Sequence, residues 1–93
     1  MGLVSLFGWE KHFELGHVDK SIHSASHAAL CDTIKRQRRA MGLTQSELAR
    51  KLGKSQSFIA KVELGERRLD VHEFVAYARA LDLDPLELLK VIL

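Results

Sequence analysis

At 93 residues the chain has room for one small domain with one modest core. An apolar fraction of 46% and a charged fraction of 28% are those of an ordinary globular protein and speak against a disordered chain. One cysteine, Cys31, excludes an intramolecular disulfide framework and fits a reducing, cytoplasmic setting, and no apolar run reaches the ~20 residues of a membrane span. The opening GLVSLFGWEKHFELGHVD is interrupted by Gly8, Glu10 and Lys11 and lacks a basic start, so no signal peptide is expected.

The net charge is only +2, but it is unevenly spread. Residues 30–68 hold ten Lys or Arg against four Asp or Glu, a net of +6, while residues 69–93 carry −3 and residues 1–29 carry −1. Segregation of this kind is the electrostatic footprint of a nucleic-acid binder. Basic residues that merely solvate helix faces are the competing explanation.

Residues 1–23 mix Leu, Phe and Trp with glycines and histidines and show no clean period. They form an extension of unassigned structure, whether a disordered arm, a short strand or an extra helix. Residues 24–93 show helical patterning throughout. A first helix is expected over about 26–41, with Leu30, Ile34 and Met41 near one face and Gly42 in the left-handed position that ends it. Thr44 with Glu47 is a capping box that opens a second helix to about Leu52, with Leu48 and Leu52 inward. Gly53 ends that helix. Ser55 caps a third helix, over about 55–64, whose inward stripe is Ile59 and Val62 and whose stop is Gly65. Asp70 with Glu73 opens a fourth helix to about Leu81, with Val71, Phe74, Val75, Ala78 and Leu81 apolar. Asp84-Pro85 starts a fifth, because proline at the first helical position forfeits no hydrogen bond. No segment after Ser24 alternates with period two, so the expected class is all-α.

Residues 42–65, GLTQSELARKLGKSQSFIAKVELG, hold the most informative pattern. Two short helices joined by a turn with a glycine are the skeleton of a helix-turn-helix, whose second helix can enter the DNA major groove. Here that helix presents Ser55, Gln56, Ser57 and Lys61 away from its apolar stripe.

Asp19, His23, His27 and Cys31 are spaced by four and would line one stripe of a continuous helix, and Asp, His and Cys all bind zinc. A continuous helix through 21–26 is not expected, however, and Cys31 reads better as a small buried residue. No metal, no cofactor and no nucleophile–base–orienter set is expected, and the chain does not read as an enzyme.

The run from Ile34 to Leu89 resembles the Cro and phage-repressor class of helix-turn-helix domains, the XRE family. The resemblance rests on Arg38, Gly42-Leu43-Thr44-Gln45, Glu47-Leu48-Ala49, Gly53, Ser55-Gln56-Ser57, Ile59, Glu63 and Gly65. It implies a five-helix phage-repressor-like domain over 24–93 with a short N-terminal extension over 1–23. It also implies roles. Ser55, Gln56, Ser57 and Lys61 would read bases, with Gln suited to adenine because its amide both donates and accepts. Thr44, Gln45, Lys54, Arg67 and Arg68 would contact phosphates, and Arg38 and Glu63 would form a structural ion pair. Ala60, where the family often has a polar reader, and Glu66, a negative charge in a loop expected to face phosphates, depart from the pattern. Phe58 is large and apolar near the groove, either against a thymine methyl or packed on the second helix.

The last helix, LELLKVIL, is too apolar for one buried stripe. Its extra residues either cover the N-terminal extension or form a homodimer contact through Leu86, Leu89, Ile92 and Leu93. A dimer would place two recognition helices about 34 Å apart on one face of DNA. The function expected is therefore sequence-specific binding of double-stranded DNA by a small homodimeric regulator. The alternatives are an antitoxin that also holds a toxin, and a protein-interaction module that has kept the fold and lost DNA binding.

Overall fold

Four chain reversals set the geometry, and all four close with the same backbone device. The computed structural model describes the backbone of residues 16–93 and the side chains from residue 25 onward. Helix α1 spans Gly16–Ala40, α2 Gln45–Leu52, α3 Gln56–Glu63, α4 Val71–Ala80 and α5 Pro85–Leu89, with a 3₁₀ turn over Lys90–Ile92. There is no strand among the described residues. The first four helices end in a left-handed residue, namely Gly42 at φ 71°, Gly53 at 65°, Gly65 at 82° and Asp82 at 57°. The next residue donates its N–H back across the turn each time. Leu43 reaches the Arg38 carbonyl at 3.1 Å, Lys54 that of Ala49 at 2.9 Å, Glu66 that of Lys61 at 2.8 Å and Leu83 that of Ala78 at 2.8 Å. These bonds take up carbonyls that a helix end otherwise orphans. Glycine adopts the conformation freely, and Asp is one of the few residues with a side chain that tolerates it.

Helix starts are equally local. Thr44 and Asp70 each complete a capping box with Glu47 and Glu73. Ser55 Oγ accepts the Phe58 N–H at 3.1 Å, and Asp84 Oδ1 accepts the Leu86 N–H at 2.9 Å beside Pro85. The expected limits of α2, α3 and α4 hold to within a residue.

Helix α1 differs from expectation. It begins at Gly16 rather than near residue 26, and it runs unbroken through 21–26. The serines and histidines there each cost only some tenths of a kcal/mol in a helix, and neither glycine nor proline interrupts residues 17–40. Expectations for residues 1–15 lie outside the described residues.

Every helix contributes to the core. Ile34 of α1, Leu48 of α2, Ile59 and Val62 of α3, and Tyr77 and Leu81 around α4 are essentially inaccessible, and Leu88 of α5 closes the bottom. Val71, expected on the apolar stripe of α4, is instead 78% exposed. As the first residue of that helix it lies past the edge of the core, and Tyr77 takes the central position. The Tyr77 hydroxyl has no hydrogen-bond partner among the described residues, and burial pushes its pKa well up.

One charged contact lies inside this frame. Arg38 Nε donates to Glu63 Oε2 at 2.6 Å and Arg38 Nη2 to Glu63 Oε1 at 3.0 Å, a bidentate pair between α1 and α3. Arg38 Nη1 also donates to the Leu43 carbonyl at 2.7 Å, which fixes the turn between α1 and α2. The two side chains are 9% and 3% exposed. Burial pushes the Glu63 carboxyl up, but the bonds from Arg38 and Gln45 outweigh it and hold the group below its ordinary value of 4.5.

Breaking such a pair from one side strands a buried charge. Glu63→Gln is therefore expected to lower the unfolding free energy by about 3–5 kcal/mol in urea, and the double change Arg38→Met, Glu63→Leu to recover most of that loss. An unchanged urea midpoint for Glu63→Gln would show that the pair does not hold the fold. The pH dependence has a definite sign. A carboxyl depressed in the folded state stabilises fully above its unfolded value and progressively less as pH falls through its folded value. Stability is thus expected to drop on acidification below about 4.5, with a shallower drop in Glu63→Gln.

Candidate nucleic-acid interface

A hydrogen-bonded chain runs outward from the buried pair. Gln45 Nε2 donates to Glu63 Oε1 at 2.9 Å, and Gln56 Nε2 donates to Gln45 Oε1 at 2.7 Å. Gln45 opens α2 and Gln56 opens α3, so their pairing brings the two helix starts together. At each start the capping oxygen takes only the third N–H, that of Glu47 and that of Phe58. The N–H groups of Gln45, Ser46, Gln56 and Ser57 have no acceptor within their own helices. Two positive helix ends side by side, with amide groups between them, are suited to an anionic backbone.

The remaining predicted residues divide. Gln56, Ser57 and Lys61 are exposed on α3, and Ser55 is exposed but holds the cap of that helix. Thr44 is exposed too, with its hydroxyl and N–H both taken by Glu47. Arg68 is exposed beside α1, lining an open cleft with Lys35, Cys31 and His27. Lys54 and Arg67 are not free solvent cations. Arg67 forms a bidentate pair with Glu73 at 3.0 and 2.8 Å, and Lys54 Nζ lies 3.6 Å from the same carboxylate. Both also lie over the Phe58 ring, at 5.1 Å for Lys54 and 5.0 Å for Arg67. Phe58 is half-buried and packs against the core. Glu73 is held below the usual carboxylate range, first by Arg67 and then by the Asp70 N–H.

Glu73 and the Gln45–Gln56 pairing escape a sequence reading. Glu73 shows itself locally as a cap, which hides its second role, and no periodicity links it to Arg67 across a loop. Cys31 is buried and donates to the Val62 carbonyl at 3.2 Å, with His27 Nε2 3.8 Å from its sulfur. The described residues include no group of three metal-ligating side chains, and the side chains of Asp19 and His23 lie outside them.

Two capped helices across a glycine turn, with a polar and basic outer face, define a DNA-binding helix-turn-helix domain. Residues 34–88 match the helix-turn-helix family, and the chain belongs to the XRE-family proteins of that class. It is similar to an XRE-family like protein from Pseudomonas syringae pv. tomato, at 47% identity and a TM-score of 0.75, over 81% of this chain and 92% of that one. It is also similar to the restriction-modification controller protein C.AhdI from Aeromonas hydrophila, at 33% identity and a TM-score of 0.65, over 71% and 96% of the two chains. No curated protein matches it. No described helix is long and apolar enough to cross a membrane.

Proposed function

We propose that the protein is a small regulator that binds a specific double-stranded DNA site as a homodimer, with α3 in the major groove. The observation that carries this reading is the Gln56–Gln45–Glu63–Arg38 chain, which holds an exposed base-reading amide in one orientation before DNA arrives. Gln56 retains amide capacity for an adenine edge, with Ser57 and Lys61 on the same helix. Gln45, the helix starts, Lys54, Arg67 and Arg68 would meet phosphates, which position the protein without reading sequence. The likeness to a restriction-modification controller protein agrees with a regulatory role.

The dimer reading rests on apolar exposure. Leu86, Leu89 and Leu93 are 69%, 36% and 88% exposed in the last two turns of the chain, and half-buried Ile92 adjoins them. A two-fold partner would cover these side chains and give the DNA site two-fold symmetry.

Duplexes selected from a random pool supply the site. Gln56→Ala is expected to weaken the selected duplex by roughly 1–3 kcal/mol while leaving a scrambled duplex nearly unaffected. Equal losses on both would remove Gln56 from base reading. Arg67→Ala should weaken binding of both the selected and the scrambled duplex, because it removes a phosphate contact. Leu89→Asp should shift sedimentation from dimer to monomer, and a monomeric wild type would end the dimer reading.

A further inference from the structure

Two cations share one aromatic ring beside the recognition helix, and a single carboxylate holds both. Lys54 precedes the cap of α3 and Arg67 follows its exit, so the two stand at opposite ends of an eight-residue helix in sequence. Glu73 binds both while its Oε1 also accepts the Asp70 N–H at 2.9 Å. The carboxylate is therefore fixed by the start of α4 and cannot follow the cations if they move. Its side chain is 15% exposed, so the contact is partly withdrawn from solvent. Arg67 also donates to the Arg68 carbonyl, and the rest of its donor fork remains available.

Resting on the DNA-binding reading above, we propose that Glu73 is a positioning residue for DNA recognition. It fixes Lys54 and Arg67 on the Phe58 ring as a pre-formed backbone grip, and it cancels one of their two positive charges. The first effect favours the correct register, because long flexible side chains ordered beforehand lose less freedom on binding. The second weakens attraction to any DNA whatever its sequence, since that attraction scales with the phosphates neutralised. The first effect raises discrimination between the specific site and other DNA, while the second lowers affinity for all DNA alike and sets the salt dependence. Phe58 is the platform of the grip, which accounts for a large ring at a position near the groove.

Glu73→Gln tests this cleanly, because glutamine at the third helical position still completes a capping box. Wild type and variant are titrated against the selected duplex and a scrambled duplex over a series of salt concentrations, with circular dichroism confirming the fold. The expected result is tighter binding of scrambled DNA by Glu73→Gln, a log–log salt slope steeper by about 0.9, and a smaller ratio of specific to non-specific affinity. Phe58→Leu should reduce the same ratio with the slope unchanged, because it removes the platform and no charge. Wild-type slope and ratio in Glu73→Gln would overturn the proposal. So would equal weakening on both duplexes with an unaltered slope, since that marks Glu73 as a helix cap and nothing more. Failure of the wild type to prefer any duplex is a separate outcome, seen before any variant is made, and it overturns the DNA-binding reading itself.

Discussion

A guanidinium–carboxylate pair buried between α1 and α3 sets the position of what faces outward. Arg38 ties three elements together, through Glu63 on α3 and the Leu43 carbonyl ahead of α2. A hydrophobic core alone would allow short helices of eight residues to slide or rotate against one another, because apolar contacts are not directional. The bidentate geometry is directional, and a misplaced α3 would leave two opposite charges out of water without their partners. The same carboxylate then fixes Gln45, and Gln45 fixes Gln56. Interior electrostatics thus set the orientation of a surface amide.

The outer face combines two kinds of constraint. The starts of α2 and α3 supply N–H groups whose direction is dictated by the helices themselves, and their strength depends only on the caps being in place. The flanking cations would otherwise be mobile. Lys54 and Arg67 are drawn onto Phe58 and Glu73, whereas Arg68 and Lys61 stay exposed. The positive segment read from composition therefore overstates the free positive charge at the face. Part of it is neutralised by an acidic residue from the negatively charged C-terminal third.

Legibility followed the range of the interactions. The limits of α2, α3 and α4 were readable because their signals are local: Thr44 with Glu47, Ser55 with Phe58 N–H, Asp70 with Glu73, and a glycine at each of the first three exits. The exit of α4 was less visible, since Asp82 takes a conformation that glycine usually marks. The early start of α1 had no signal at all, because weak helix formers lower propensity without breaking a helix. Tyr77, the largest fully buried side chain, stands outside the purely apolar stripe of α4, and Val71 on that stripe is exposed, since periodicity locates a stripe but not where the core ends along it. The amide chain and the Glu73 clamp join residues from separate elements, and no sequence pattern records such contacts.

The most direct test follows the side chains of the chain from core to surface. In a ¹⁵N-labelled protein titrated with the selected duplex, the side-chain amides of Gln45 and Gln56 should shift strongly. The Arg38 Nε–H resonance should stay in place, because the buried pair is already formed in the free protein. Glutamine amides that do not move, with shifts confined to α5 and the C-terminal residues, would contradict the account and locate the working surface elsewhere.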